Sequence, residues 1–298
     1  MDDLGYSVPI LLDTDIGSDV DDAIALAYLL AQPRCDLLGI TTVTGDVRQR
    51  AACADAVCRA AGKHDIPIRT GNSDPLGPGP GQPDVPHYGA IERRVRDAVY
   101  ESDAVGFMRH AIRSRPGEVV LLSVGPFTNV AALFASDPDV SGVLRGYVSM
   151  GGTFPDATVA DWNIQVDPVA AVISYRWAPD GHLSVGLDVT RRLQLSAEEA
   201  REAFASPGLE PVREMADVYL AEQKPFITLH DPLAAAVIFS PNLCQYAVGT
   251  VEVALDANQE GSGITHFREG HSTTDRITIE VNLDRAKNEV LSVLAGQI

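Results

Sequence analysis

Residues 8–31 read VPILLDTDIGSDVDDAIALAYLLA: an apolar run, then Asp13, Asp15, Asp19, Asp21 and Asp22 within ten positions, then an almost wholly apolar segment. The run Val8 to Leu12 is short and ends on acids, which predicts a buried strand. Asp21 to Ala31 predicts a helix whose first-turn acids complement its positive end. The same alternation recurs downstream. Leu37 to Val43, Val119 to Val124, Leu144 to Met150 and Leu183 to Val189 read as strands. Arg48 to Ala61, Ser102 to Ser114, Asn129 to Ala135 and Pro168 to Trp177 read as helices, most of them entered after Asp, Asn or Ser. Strands alternating with helices predict an α/β fold, an open, mainly parallel β-sheet with helices on both faces.

The last third departs from that rhythm. Ser196 to Ala205, with a Ser196 to Glu199 capping box, and Glu210 to Gln223 read as successive helices, and a third starts from Pro232. Beyond Tyr246 come two strand-like runs and a final helix, Asp284 to Leu294, so a helical segment and extra strands are expected there. Residues 1–298 are expected to form one domain. The stretch Asn72 to Gly89, NSDPLGPGPGQPDVPHYG, is too rich in Pro and Gly for helix or inner strand and predicts a long loop near the ligand end of the sheet.

Composition narrows the partners. A formal charge of −18 repels a nucleic-acid backbone or an anionic membrane, and favours a small neutral or cationic ligand or a metal ion. Cys35, Cys53, Cys58 and Cys244 show no metal-ligand spacing, which points to reduced thiols and a cytoplasmic location. The opening MDDLGYSVPI lacks a basic and apolar leader pattern, and no apolar run is long enough for a membrane span.

The aspartates carry the chemistry. Asp13 and Asp15 are two apart, so strand geometry sends both side chains from one face at the C-terminal edge of the sheet, where open α/β sheets bind ligands. The Ile16 to Val20 loop, turned at Gly17, brings Asp21 and Asp22 back over that edge. Helix-end charge accounts for Asp19 and Asp21 without any ligand. It does not account for Asp13 and Asp15, because converging carboxylates at a partly dry edge repel or protonate, and the stretch contains no Lys or Arg. A hard cation resolves the conflict. Oxygen-only ligation suits Ca²⁺ or Mg²⁺, with Ca²⁺ favoured where irregular loops supply several ligands.

Other segments have plain local readings. Asp231 before Pro232 is a good helix cap, and His230 could be a packed histidine. Gly125, Pro126, Thr128 and Asn129 read as a turn and a helix start, and Asp167 before Pro168 as another cap. Asp161 and Asn163 flank Trp162 in an irregular segment, where two polar groups and a ring could line a pocket or simply face water. Asp46 after Gly45 needs no explanation beyond a turn.

The stretch DTDIGSDVDDAIAL resembles the N-terminal signature of the nucleoside hydrolases, DTDPGxDDAxAL, with two extra residues before the final Asp pair. Four more segments are similar to that family in the expected order: ITTVTGD (Ile40 to Asp46), SVGPFTNVA (Ser123 to Ala131), MGGTFPDATVADWNIQVDP (Met150 to Pro168) and HDPLAAA (His230 to Ala236). The resemblance implies a nucleoside hydrolase-like fold with a Rossmann-like core, and metal-dependent hydrolysis of the N-glycosidic bond of a ribonucleoside or related N-riboside. It implies Ca²⁺ held by Asp15, Asp22, Asp231 and the Val124 carbonyl, with Asp15 also the base that activates water at the ion and Asp13 orienting Asp15. It assigns Asp21, Asp46, Asp161 and Asn163 to the sugar and His230 to the leaving group, and it implies a homodimer or homotetramer. The chain departs from the family at Asp161, where Glu is usual, at Asp46, where Asn is common, and at Pro155 and Asp156, which do not reproduce an Asn. His87 falls roughly where the family has a His-Gly pair. Two alternatives remain: a haloacid-dehalogenase-like Mg²⁺ phosphatase, which also opens on a strand and Asp-x-Asp, and a Ca²⁺ or sugar-binding homologue without turnover.

Overall fold

A computed structural model describes residues 7–155, 158–222, 224–256, 262–270 and 275–296; Asp156 and Gln223 lie outside these. The chain runs through β1 (Val8–Thr14), α1 (Asp21–Ala31), β2 (Cys35–Thr42), α2 (Val47–Ala60) and β3 (Ile68–Thr70). It continues through α3 (Tyr88–Ile91), α4 (Ala104–Ser114), β4 (Val120–Ser123), α5 (Thr128–Ser136), β5 (Gly146–Met150), α6 (Trp162–Val166), α7 (Pro168–Trp177) and β6 (His182–Val185). The last third holds α8 (Leu187–Thr190), β7 (Gln194–Ser196), α9 (Ala197–Ala203), α10 (Glu210–Ala221), β8 (Phe226–Thr228) and α11 (His230–Phe239). After these come β9 (Cys244–Val253), β10 (Thr265–Glu269), β11 (Asp275–Val281) and α12 (Leu283–Ala295).

Among the described residues the main sheet has nine strands in the order β10-β9-β11-β6-β5-β4-β1-β2-β3. Strands β1 to β6 are parallel, β11 adds parallel to β6, and β9 and β10 extend the edge antiparallel. This is the expected mainly parallel α/β sheet. Its faces are dry on both sides: Ile10 and Leu12 of β1 join a core with α1, α2 and α11, while Leu11 joins another with α4, α5 and α7. That alternation is the period of a strand buried on both faces.

The differences from expectation have local causes. β6 stops at Val185, and the expected extension to Val189 is instead the short helix α8, entered at Gly186. β3 spans only three residues, too few to show a period. Three strands rather than two fill the segment before the last helix, the first of them beginning at Cys244, before Tyr246. α11 starts at His230, two residues ahead of Pro232. The Pro/Gly-rich stretch carries no helix or strand from Gly71 to His87, as its composition requires.

Candidate functional site

The chain leaves β1 for α1 and β2 on one side of the sheet, and later places β4 on the other side of β1. The carboxyl ends of β1 and β4 therefore flank the point where the strand order reverses, the usual ligand crevice of such sheets. A cavity of about 280 Å³ opens there. Of the expected residues, Asp15, Asp21, Asp22, Val124, Asp161, Asn163, His230 and Asp231 line it, and Asp13 and Asp46 do not.

Carboxylate oxygens of Asp21, Asp22 and Asp231 lie within 4.8 Å of one another, and all three residues are buried. Asp21 and Asp22 open α1, whose cap position is Val20 without a side-chain cap bond, so neither acid is consumed in capping. Asp21 Oδ2 accepts from the Asp231 amide at 3.1 Å, and Asp22 Oδ1 accepts from Thr14 Oγ1. Asp231 was expected as a cap; instead α11 begins two residues earlier, at His230 after Leu229, with no side-chain cap, and the Asp231 carboxylate faces its fellow acids. Burial first, and then mutual repulsion, push all three carboxyls well above the usual range. None of them forms an ion pair with a described residue. A dry, oxygen-only set that repels itself is chemically suited to a hard divalent cation.

Asp15 lies one residue past the end of β1. Burial raises its carboxyl to about 6, partly offset by the positive charge of Arg50. Asp13 follows the strand parity of Leu11 toward α5, where Oδ1 accepts from Asn129 Nδ2 at 2.8 Å and from Thr41 Oγ1. The two acids therefore part at the strand end, Asp13 behind the cavity and Asp15 in it. The Val124 carbonyl at the end of β4 accepts from Asn163 Nδ2 at 2.6 Å, and the same amide reaches the Met150 carbonyl at 3.2 Å.

At the opposite wall, His230 Nδ1 pairs with Thr190 Oγ1 at 2.6 Å, and burial lowers the ring to about 4, so it is neutral near pH 7. Asp161 caps α6 through Ile164 N at 3.4 Å, and burial raises its carboxyl to about 7. Asp46 is drawn away from the site: its Oδ1 caps α2, accepting from Arg48 N at 3.1 Å and Gln49 N at 3.0 Å. The structure therefore does not bring Asp46, expected at the sugar, to this cavity. His87 is buried against Tyr219 and does not line the cavity. Asp19, read from sequence as a helix-entry charge, is part of the cavity wall.

Sequence reasoning missed Gln82, Thr190 and Arg50. Gln82 comes from the Pro/Gly-rich loop, lines the cavity and accepts from Trp162 Nε1. The signal for Arg50 was present: Arg50, Ala54 and Val57 share the buried face of α2, so a charge falls where only an internal partner could satisfy it.

Residues 10–289 match the family model for inosine-uridine preferring nucleoside hydrolases. The chain is 31% identical to the pyrimidine-specific ribonucleoside hydrolase RihA of Escherichia coli, over 98% of each sequence. It is 30% identical to uridine nucleosidase 1 of Arabidopsis thaliana, over 85% of this chain and 80% of that one. Among solved structures, the purine-preferring ribonucleoside hydrolase from Gardnerella vaginalis superposes with a TM-score of 0.82 at 25% identity, covering 97% of this chain and 98% of that one. A plant nucleoside hydrolase shares the fold with a TM-score of 0.83 at 24% identity, covering 96% and 98%.

Proposed function

The chain belongs to the inosine-uridine preferring nucleoside hydrolase family, whose members cleave N-glycosidic bonds, and from that premise we propose how its own residues do so. The observation that carries the reading is the trio of buried carboxylates, Asp21, Asp22 and Asp231, converging without ion pairs at the switch point of the sheet. Of that trio Asp22 and Asp231, joined by Asp15 and the Val124 carbonyl of the same cavity, would hold a divalent cation, for which we propose Ca²⁺, leaving Asp21 to the substrate. When bound, such an ion makes a nearby water acidic enough to be deprotonated near neutral pH.

Asp15 takes the water proton as the water oxygen attacks the anomeric carbon, and the bond to the base nitrogen breaks with its electron pair going to the base. Asn129 and Thr41 hold Asp13 behind Asp15, keeping that acid in line with the strand end. Asp21 and Asn163 hold ribose hydroxyls, with Asp161 at the outer end of the sugar. Thr190 occupies Nδ1 of His230, and when its hydroxyl donates there the ring proton sits on Nε2, available to the departing base. The substrate is a ribonucleoside or related N-riboside. The unpaired thiols suit a cytoplasmic setting, and a single domain over residues 1–298 that assembles as a homodimer or homotetramer completes the proposal.

Phosphate-ester chemistry fits this cavity poorly: among the described residues no Lys or Arg lines it, and a phosphate dianion would face several carboxylates. The deciding assay incubates the protein with a nucleoside panel and with a generic phosphate ester, with and without chelator. Free base released only without chelator is the expected result. Released phosphate would support the phosphatase, and neither product would support a binding protein without turnover.

A further inference from the structure

Arg50 heads the fully buried side chains by volume, and its charge is spread over neutral acceptors. Nε donates to the Thr44 carbonyl at 2.6 Å; Nη1 donates to the Asp15 carbonyl and to Ser18 Oγ at 2.7 Å. Nη2 donates to the carbonyls of Gln82 at 3.1 Å and Asp84 at 3.4 Å. Among the described residues Arg50 has no ion pair, so contact neutralisation of a carboxylate is not its task. A guanidinium removed from water is costly unless its donors are satisfied, and this one is satisfied by three separate backbone segments.

Two of those segments are walls of the cavity. Asp15, Ser18 and Asp19 stand on the first and Gln82 on the second. Other bonds between the two walls run at the periphery: His87 N to the Gly17 carbonyl at 3.0 Å, and a long contact from Ser18 Oγ to the Asp84 carbonyl at 3.5 Å. The third segment, Thr44 and Gly45, has both residues at φ +62°, a conformation that a β-branched residue adopts only when its surroundings impose it. The Arg50 Nε bond to the Thr44 carbonyl is part of what imposes it.

We propose that Arg50 is a positioning residue: it locks the Asp15 to Ser18 turn against the Gln82 to Asp84 segment, so that Asp15 stands ready for the ion and for water before either arrives. The inference rests on the divalent-ion reading above. Its physical basis is preorganisation, because a ligand whose backbone is fixed from behind loses less freedom on binding. The fork geometry matters as much as the charge. A lysine ammonium at this position keeps the charge and cannot bridge three segments with planar, fixed donors.

The test uses Arg50→Lys and Ser18→Ala in the full chain, stripped of metal and titrated with Ca²⁺ by calorimetry, followed by nucleoside kinetics at saturating Ca²⁺. Loss of outer support around a metal ligand costs about 10- to 100-fold in affinity or activity, so Arg50→Lys should weaken Ca²⁺ binding at least tenfold. It should also lower kcat more than it changes KM, because Asp15 is displaced while the ribose contacts remain. Ser18→Ala, which removes one acceptor, should shift Ca²⁺ affinity in the same direction by less, and it carries the test if Arg50→Lys does not fold. Variants that lose only melting temperature, with Ca²⁺ affinity and kcat as in the parent, would overturn the proposal and leave Arg50 a brace for folding. A parent protein that binds no divalent ion would instead overturn the ion reading itself, and the Arg50 inference with it.

Discussion

Gly125 shows how a residue with no side chain can bear on the chemistry. A Cβ built there would lie 2.8 Å from the Asp15 amide nitrogen, 2.9 Å from Asp15 Oδ1 and 2.9 Å from Val43 Cγ1. Gly125→Ala must therefore move either β4 or Asp15. A misplacement of about 1 Å at a reacting group costs on the order of 10² in rate, so kcat/KM should fall by that factor while the overpacking costs about 1 to 3 kcal/mol. Unchanged kinetics in a folded variant would show that Asp15 tolerates the shift and is not the base. Asp15→Asn should lower kcat by about 10² to 10⁴, the worth of a general base. Asp19→Asn, on the cavity wall but with its Oδ1 accepting from Val20 N at 2.6 Å, should alter KM and leave kcat nearly intact. Equal losses in the two variants would reassign the base. His230→Ala should cripple hydrolysis of purine nucleosides and spare a nitrophenyl riboside, because a proton or hydrogen bond to the leaving group helps only where negative charge builds on a poor one. A parallel fall on both substrates would mean that His230 acts by holding the entry of α11 and hence Asp231.

At the scale of elements, the sequence displayed each strand and helix with a strong period, and little of what joins them. Asp21 and Asp22 were legible as site residues because they sit in one short window with Asp15, and Asp231 because its motif resembles a family segment. Asn129 and Gln82 were not, and Arg50 was legible only as a buried charge without its partners, since hydropathy carries no information about which strand lies beside which, and each reaches the site from a different element. Local rules and the resemblance also diverged at single residues. Asp231 looked like a cap and is free of that duty, while Asp46, locally read as a turn residue and assigned to the sugar only through the family resemblance, is a cap. Asp46→Ala should therefore cost about 0.5 to 2 kcal/mol of stability, the usual worth of an N-cap, with kcat/KM across a nucleoside panel unchanged. A shift in substrate preference would return Asp46 to the site. The same blindness to pairing hid a Ser149–His182–Asp275 chain, with Ser149 Oγ 2.9 Å from His182 Nε2 and His182 Nδ1 3.1 Å from Asp275 Oδ1. It resembles a nucleophilic triad, yet all three residues are buried inside the sheet and substrate cannot reach the serine. Its geometry ties β5, β6 and β11 across the sheet, where the parallel part gives way to the antiparallel edge.

For the whole molecule, burying titratable groups without ion-pair partners among the described residues makes stability depend on pH in two opposite senses. His87 is 1% exposed, its Nδ1 has no partner among the described residues, and burial lowers its pKa from 6.5 to about 4. Between those values the unfolded chain binds a proton that the folded one refuses, so the stability of the neutral ring is fully present above 6.5 and lost as pH falls toward 4. Asp161 behaves the other way. Burial raises it from 3.8 to about 7, so the folded state keeps a proton that the unfolded chain has released. That contribution is fully present below 3.8 and lost as pH rises toward 7. Each shift corresponds to a few kcal/mol, on the order of 3 for His87 and 4 for Asp161, at about 1.4 kcal/mol per pH unit. Thermal unfolding followed from pH 4 to 8 should accordingly show His87→Phe losing part of the acid-side fall, because Phe keeps a ring against Tyr219 and cannot titrate. Asp161→Asn should lose part of the fall toward neutral pH while keeping a polar group at the start of α6. The two variants must bend the profile at opposite ends, since one removes a group that resists protonation in the fold and the other a group that retains it. If His87→Phe keeps the parent's acid limb, the imidazole accepts a proton without unfolding the chain, and the segment from Val85 to Tyr88 must open to water to allow it.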